Sequence, residues 1–385
     1  MKITSVTPLF IDRFLFVRVT TDKGISGVGE SGAWGHLEAS GEAARKFGEY
    51  LVGKDPRRIE HHWNVMHRFQ NFTGAAISGA ISAIDVALWD IKGKELGVPV
   101  YQLLGGSMRD KVRLYAHCKG RTVEGLIARA TDLVVQGFTA VGYLNPMLEE
   151  GVQKPWYKPY VAKVGDAVDA VRQVREAVGW NVDLCVEIHT RMKPSEAIAF
   201  GRAIEPFRPM YIEDPIPPYN IDAMSHVADH MPIPIATGER FIHIQQFQML
   251  LARRGAEYLR PCISVCGGIT AGRKIAALAE AHNVDIVYHN PLSPVNLAAC
   301  LHLDAAIPNF AIQEYPLDTI EFDGLEALRG SQIVTGLAKP ENGFITIPNG
   351  PGLGLELPED SEERFPARQK PVAMRPHFDG SVVEE

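Results

Sequence analysis

The stretch from Val182 to His189 alternates apolar and polar side chains, which is the pattern of a β-strand with two different faces. Its apolar face consists of Val182, Leu184, Val186 and Ile188. On the other face, Glu187 and His189 would point to the same side because successive strand residues alternate. The pattern therefore predicts a carboxylate and an imidazole held next to each other.

Two more glutamates end short apolar runs further along the chain. Glu213 closes MYIE and Glu239 follows PIATG, and the steps 213 − 187 and 239 − 213 are both 26 residues. A strand, a helix and two short loops take roughly 25–30 residues in a βα barrel, so each repeat carries one carboxylate to the same level on the next strand. Three carboxylates at adjacent strand ends predict a metal site, unless Glu213 and Glu239 are isolated loop carboxylates. Such hard oxygen ligands favour Mg²⁺, with Mn²⁺ as the usual substitute.

Short apolar runs alternate with helical segments through most of the chain. Helices are predicted at 164–178, 195–204 and 271–281, among others. Eight strands are predicted, at 111–118, 140–145, 182–189, 210–213, 233–239, 258–263, 285–289 and 311–314. This alternation is expected of right-handed parallel βα units, and eight strands are enough to close a barrel.

The residues before and after the barrel follow other patterns. Two antiparallel strands are predicted at 14–20 and 25–29, around the turn Asp22-Lys23-Gly24, and a helical pattern follows over 38–96. The last 45 residues are rich in Pro and Gly. The predicted organisation is an α+β domain at 1–110, a barrel at 111–335 and a C-terminal segment at 336–385 that packs back on the first domain.

Composition limits the kinds of partner and compartment. The length of 385 residues suits a barrel plus a smaller domain. A net charge of −7 without any basic tract argues against a nucleic-acid partner or an anionic membrane surface. The five cysteines lack CxxC spacing, and the first residues, MKITSVTPLF, contain no continuous apolar core of a signal peptide. A cytoplasmic protein with no membrane partner is expected.

The strand-end residues suggest proton chemistry. A divalent cation at the three glutamates could hold a substrate carboxylate and stabilise the enolate that forms when the α-proton leaves. His189 and His289, the latter at the end of the seventh predicted strand, are candidate acids or bases. Glu314, at the end of the eighth, could donate or accept a hydrogen bond at the reacting carboxylate. Alternatively, His289 is a hydrogen-bonded barrel histidine and Glu314 is the ion-pair partner of a Lys or Arg.

The chain resembles the enolase superfamily, in its mandelate racemase branch, and is most similar to acid-sugar dehydratases of the galactonate and mannonate dehydratase type. The resemblance covers nearly the whole chain. Its most specific parts, besides the three glutamates, are SAIDVALWDIKGK at 82–94, GER at 238–240, CGGIT at 266–270 and His289 followed by NPLSPVNLAACLHLD. It implies an α/β fold in which a modified TIM barrel, (β/α)₇β, carries an α+β capping domain.

The same resemblance implies roles for single residues. Matched position by position, the metal ligands are Glu187, Glu213 and Glu239, where the first ligand is usually Asp. His189 matches the histidine that helps expel the β-hydroxyl, His289 the barrel histidine, and Glu314 the eighth-strand carboxylate.

Three further departures concern the base that takes the α-proton. Cys262 replaces the Asp that orients the seventh-strand histidine in galactonate dehydratase-like members, and the second strand, AVGYLN, lacks the Lys of racemase-like members. The long loop at 146–163 offers Tyr157 or Tyr160 for the tyrosine of mannonate dehydratase-like members, but it contains no Arg. The base thus stays open among His289, a loop tyrosine and His189.

The resemblance implies a lyase, a Mg²⁺-dependent dehydratase that converts an aldonic acid to a 2-keto-3-deoxy acid. One alternative is an epimerase, racemase or sugar-lactone cycloisomerase acting on the same enolate. Another is a metal-binding paralogue with little or no catalysis. The expected partner is a small-molecule sugar acid, and a homo-oligomer is expected.

Overall fold

A computed structural model describes residues 1–69, 71–148, 158–316, 319–322, 325–328 and 331–384. The chain opens with a three-stranded antiparallel sheet of β1 (Ile3–Ile11), β2 (Phe14–Thr21) and β3 (Ser26–Ser31), in the order β1-β2-β3. The sequence pattern predicted only two strands here, so β1 is a correction. It carries Pro8 and does not alternate between buried and exposed residues, which is compatible with an edge strand.

Four helices follow the sheet. They are α1 (Leu37–Leu51), α2 (Ile59–Arg68), α3 (Ala75–Leu96) and α4 (Val100–Leu103). The predicted helical stretch 38–96 is thus divided among three separate helices. Most side chains of α3 are buried, because one side packs on β3 and another packs on the barrel.

The backbone of α3 approaches β3 very closely at Gly29. A Cβ atom at Gly29 would lie 2.0 Å from the carbonyl oxygen of Ala83. Gly29→Ala is therefore expected to lower the free energy of unfolding by about 1–3 kcal/mol or more, because backbone has to shift. Urea denaturation monitored by circular dichroism measures the change in the free energy of unfolding.

A matched control for that substitution is Gly165→Ala. Gly165 is exposed, and a Cβ there would have no neighbour within 4 Å. It lies inside a helix, where Ala is favoured over Gly by roughly 0.5–1 kcal/mol, so this variant is expected to gain stability. Equal effects of the two substitutions would contradict the argument from the close approach.

Strands and helices then alternate through the barrel. In chain order they are β4 (Lys111–His117), α5 (Val123–Val135), β5 (Ala140–Leu144), α6 (Tyr160–Val178), β6 (Asp183–Glu187), α7 (Pro194–Ile204), β7 (Tyr211–Glu213), α8 (Ile221–His230), β8 (Ile235–Thr237), α9 (Ile244–Ala252), β9 (Tyr258–Leu259), α10 (Gly268–Ala281), β10 (Asp285–Ile286), α11 (Pro294–Ala306) and β11 (Gln313–Tyr315). Every predicted barrel strand is present, and each is shorter than the apolar run that predicted it.

These strands form a closed ring. Parallel pairing runs in order from β4 to β10, and β11 pairs with β4. The ring closes where Ile286 of β10 bridges Phe310, just before β11. Inside the ring a small apolar cluster includes Tyr115, Ala140, Cys185 and Tyr211, while a larger core lies between the strands and their helices. The predicted (β/α)₇β barrel is confirmed, and its carboxyl-end face receives the candidate site residues.

The last part of the chain, after β11, contacts both the barrel and the N-terminal domain. β12 (Thr319–Phe322) and β13 (Leu325–Leu328) pair with each other, β14 (Phe344–Thr346) pairs antiparallel with β4, and α12 spans Ser361–Arg364. Further on, Arg18 Nη2 donates to the Leu357 carbonyl oxygen at 2.8 Å, and the Leu353 N–H donates to Asp90 at 2.9 Å. Because β14 extends the barrel sheet, the segment predicted at 336–385 contacts both domains. The three domain boundaries stay a prediction.

Two buried acids of the N-terminal domain receive N–H groups from the first turns of barrel helices. Glu30 of β3 accepts the N–H groups of Ser293 and Asn296 at the start of α11. Asp85 of α3 accepts the Thr270 N–H in α10 at 2.9 Å. Amides in the first turn of a helix have no partner within the helix, so these acids satisfy them from the other domain. In the described part of the chain, no helix combines the length and the apolar content needed to cross a membrane.

Candidate active site

Three acidic side chains meet at the carboxyl ends of β6, β7 and β8. Glu187 and Glu213 are direct register partners of β6 and β7, and each is only 2% exposed. Glu239 lies two residues beyond the end of β8. Burial raises the pKa of Glu187 well above its ordinary value, and the negative charges of Glu213 and Glu239 raise it further. Burial also raises the pKa of Glu213 to about 8. The three predicted metal ligands are therefore close enough to repel one another.

Each carboxylate has a protein donor of its own. Glu187 accepts the backbone N–H of His189 at 2.6 Å. Glu213 accepts Nε of Arg260 at 2.6 Å, and Nε2 of His289 lies 3.1 Å from Glu239. Among the described residues, no three His, Cys, Asp or Glu side chains are arranged around one point as metal ligands. The chemistry of the donor set still fits a hard cation, which would relieve the repulsion among the three carboxylates.

His189 reaches this site through a turn rather than through strand alternation. β6 ends at Glu187, and His189 and Thr190 both have left-handed backbone, with φ of 53° and 66°. The predicted strand to residue 189 is thus wrong, although the imidazole does lie at the site, with Nε2 3.3 Å from Nη2 of Arg240. Burial lowers the pKa of His189 to about 4, despite the opposing charge of Glu239. The imidazole is therefore neutral near pH 7.

His289 lies beyond the end of β10 and lacks an anionic partner on one nitrogen. Its Nε2 faces Glu239, while its buried Nδ1 has no hydrogen-bond partner among the described residues. Cys262 is buried, and burial raises the pKa of its thiol well above the ordinary value. A neutral thiol cannot orient the imidazole as a carboxylate would. Burial also lowers the pKa of His289, although Glu239 opposes this.

Glu314 is held as an ionised acceptor. Its oxygens accept hydrogen bonds from Nη2 of Arg260 at 2.6 Å and from the Asn290 N–H at 2.7 Å, and Nε2 of His117 lies 2.6 Å away. Burial favours protonation, but Arg260 and His117 outweigh it and lower the pKa of Glu314 well below its ordinary value. Glu314 is therefore an arginine ion-pair partner and accepts hydrogen bonds, so donation of a proton from it is disfavoured.

The structure describes only one of the two tyrosines that were predicted as candidate bases in the long loop. Tyr157 lies outside the described residues. Tyr160 is the first residue of α6, and its side chain is 56% exposed. Tyr160 is thus on the surface and does not share the burial of the acidic cluster.

Three site residues were not predicted from the sequence. They are His117, the last residue of β4, Arg260, directly after β9, and Asp214, directly after β7. Asp214 accepts hydrogen bonds from Thr237 Oγ1 at 2.5 Å and Arg240 Nη1 at 2.7 Å. All three lie at strand ends in the structure. The signal was present in the sequence for His117 and Asp214, which lie at or next to the ends of predicted strands, but not for Arg260, which lies inside the strand predicted at 258–263.

Comparison with known families agrees with this geometry. Residues 2–105 match the mandelate racemase / muconate lactonizing enzyme N-terminal domain, and residues 125–361 match the enolase C-terminal domain-like family. The chain belongs to the mandelate racemase / muconate lactonizing enzyme family. Within this family, it is 37% identical to the D-galactonate dehydratases of Verminephrobacter eiseniae and Ralstonia pickettii, over the full length of each pair.

Solved structures of the same superfamily have the same architecture. An enolase from Agrobacterium radiobacter with bound Na and L-malate is 31% identical, with 99% of both chains covered and a TM-score of 0.91. An enolase from Pantoea ananatis with bound D-gluconate and Mg is 28% identical, with 100% of both chains covered and a TM-score of 0.90. The family membership and these structures confirm the prediction of a modified TIM barrel with an α+β capping domain.

Proposed function

We propose that the chain is a hydro-lyase that dehydrates a sugar acid. It would remove the proton α to the carboxylate and expel the β-hydroxyl, which leaves a 2-keto-3-deoxy acid. The observation that carries the proposal is the group of Glu187, Glu213 and Glu239 at consecutive strand ends, of which Glu187 and Glu213 are buried, with neutral His189 beside it. The full-length similarity to D-galactonate dehydratases supports the same reaction.

A divalent cation is part of the proposal. Glu187, Glu213 and Glu239 would hold Mg²⁺, or Mn²⁺ in its place, because hard carboxylate oxygens suit both ions. When bound, the cation would supply positive charge that neutralises the substrate carboxylate and the enolate. The solved Pantoea relative contains Mg and D-gluconate, which supports this choice of metal and ligand class.

The surrounding residues would orient the substrate and move protons. Arg260 lies between Glu213 and Glu314, with nitrogen atoms 2.6 Å from each carboxylate, and so fixes the positions of both. Glu314 stays ionised and can accept hydrogen bonds from hydroxyl groups of the sugar acid. His189 borders the same cluster and would assist the departure of the β-hydroxyl, as a positioned imidazole can.

Incubating the chain with a panel of acid sugars and Mg²⁺ tests the proposal. Formation of a 2-keto acid is expected from at least one member, with D-galactonate the first to try, and ¹H NMR identifies the 2-keto-3-deoxy product. Removing the metal with EDTA is expected to abolish turnover, and adding Mg²⁺ to restore it.

Two results would contradict the proposal. No product from any panel member, with metal binding shown by calorimetry, would exclude this dehydration and favour the paralogue with little catalysis. Exchange of the α-proton with D₂O without loss of water would favour epimerisation or cycloisomerisation. The cytoplasmic location, the absence of nucleic-acid and membrane partners, and the homo-oligomer stay predictions from the sequence.

A further inference from the structure

β5 carries a bulge at its carboxyl end. Its register with β6 shifts between Val141 and Leu144, so that Gly142 and Tyr143 together stand opposite a single residue of β6. Val141 and Leu144 both belong to the outer core between strands and helices. The two residues between them therefore both face the inside of the barrel, and Tyr143 adopts left-handed backbone with a φ of 49°.

Gly142 cannot carry a side chain at this inner position, so the side chain that faces the mouth of the barrel is that of Tyr143. A Cβ at Gly142 would lie 2.1 Å from the ring of Tyr115, which fills the barrel below it. No side chain can therefore reach the mouth from Gly142 itself. The extra residue of the bulge turns Tyr143 inward instead, and its side chain is partly exposed at the mouth. Bulges next to active sites commonly re-aim one side chain in this way.

The phenol of Tyr143 lies among ionisable groups at the carboxyl ends of β4 and β6. Its ring centroid is 5.1 Å from that of His117 and 6.2 Å from that of His189. Nζ of Lys119 lies 3.8 Å from the centroid of the Tyr143 ring. An ammonium group over an aromatic ring is attractive, and the attraction increases when the ring becomes a phenolate. The Lys119 ammonium is thus placed to stabilise the phenolate, the form of Tyr143 that can take a proton.

The other candidates for the base are less well arranged. His289 has a buried Nδ1 without an acceptor among the described residues, and Cys262 offers it only a neutral thiol. His189 is needed at the leaving hydroxyl in the proposed reaction. Tyr160 has an exposed side chain on α6. Among these described candidates, Tyr143 alone is turned into the mouth by a distortion of its own strand.

We propose that Tyr143 is the base that takes the α-proton of the sugar acid. This inference rests on the proposed dehydration and names the residue that begins it. The bond from Cα to hydrogen breaks, its electron pair enters the enolate, and the phenolate oxygen of Tyr143 gains the proton. The Tyr143 phenol then returns this proton through the imidazole of His189 to the β-hydroxyl, the bond from the β-carbon to oxygen breaks, and water leaves. The phenolate is restored, and the protein regains its starting charge.

Tyr143→Phe tests the inference in the full-length protein loaded with Mg²⁺. Its turnover of the panel acid that wild type converts fastest is expected to fall at least about 100-fold, because a positioned base contributes about 10²–10⁴-fold. Exchange of the α-proton in D₂O, followed by ¹H NMR, is expected to fall equally. Binding of the acid, measured by calorimetry, is expected to stay within a few-fold of wild type.

Two further tyrosine variants serve as comparisons. Tyr101→Phe is the matched control, since Tyr101 lies in α4 of the N-terminal domain and donates to Asn349 at 3.0 Å, and it is expected to keep full activity. Tyr160→Phe tests the rival tyrosine at the start of α6. Full activity of Tyr143→Phe, or a loss of activity in Tyr160→Phe alone, would overturn the inference about Tyr143. In either case, turnover by the wild-type protein would still support the proposed function. No turnover by wild type would instead count against the proposed function.

Lys119→Met provides a second, independent readout. It removes the ammonium beside the Tyr143 ring, while His117 and His189 remain next to that ring. Its rate deficit is expected to shrink as pH rises, since a phenol ionises at high pH without a neighbouring cation. A deficit that is constant across pH would mean that Lys119 does not act through Tyr143, and it would count against the inference. Circular dichroism of Tyr143→Phe and Lys119→Met checks that both variants are folded.

Discussion

Replacing Arg260 with methionine is expected to lower the free energy of unfolding by about 3–5 kcal/mol, because it leaves two buried carboxylates without their cation. Arg260 is 1% exposed, and its nitrogen atoms lie 2.6 Å from both Glu213 and Glu314. Methionine fills similar space but neutralises neither charge. Turnover is expected to fall as well, since the two carboxylates lose the group that positions them. Urea denaturation and the 2-keto acid assay measure the two effects.

Arg273→Met is the matched control for this loss. Arg273 is an exposed residue of α10, so its replacement is expected to change the free energy of unfolding by no more than about 0.5 kcal/mol. If Arg260→Met were as stable as this control, the guanidinium would not be essential to the buried network. Lys cannot replace Arg260 fully, because a single ammonium cannot bridge two separate carboxylates in the same planar geometry.

Glu187→Gln is expected to have opposite effects on activity and stability. Turnover is expected to fall by about 10²–10³-fold or more, because the amide lacks the charge needed to hold the metal that stabilises the enolate. The metal-free protein is expected to gain roughly 1–2 kcal/mol in its free energy of unfolding, because one of three mutually repelling acids has been removed. Calorimetric titration measures the affinity for Mg²⁺, the 2-keto acid assay measures turnover, and thermal unfolding measures the stability of the metal-free protein.

Glu176→Gln separates this effect from a general loss of charge. Glu176 is an exposed residue of α6, paired on the surface with Arg172. Such pairs contribute about 0–1 kcal/mol, and no change in turnover is expected there. If Glu187→Gln retained both Mg²⁺ binding and turnover, the three strand-end carboxylates would not be the metal site.

The parts of the molecule that repeat along the chain could be predicted from the sequence. The equal steps between Glu187, Glu213 and Glu239 reflect the repeat of strand and helix, which is a local property of each βα unit. The eight barrel strands were predicted for the same reason, although each predicted range is longer than the strand in the structure. β1 was not predicted, since Pro8 and its irregular burial hide an edge strand.

The parts that depend on distant contacts could not be predicted. Arg260 meets Glu213 across 47 residues of sequence and Glu314 across 54, so their pairing exists only once the barrel has closed. The left-handed turn that carries His189 has no glycine to signal it. Likewise, the sequence AVGYLN predicts a regular strand, and the bulge at Tyr143 is seen only in the pairing register of β5 with β6.

The acids that reach from one domain to the other restrict how such a chain can be inherited. Glu30 and Asp85 belong to the N-terminal domain, yet they accept N–H groups of Asn296 in α11 and Thr270 in α10 of the barrel. A barrel taken from one lineage and joined to the N-terminal domain of another would leave those amides unmatched unless both acids came along. The two domains are therefore expected to have diverged as a single unit.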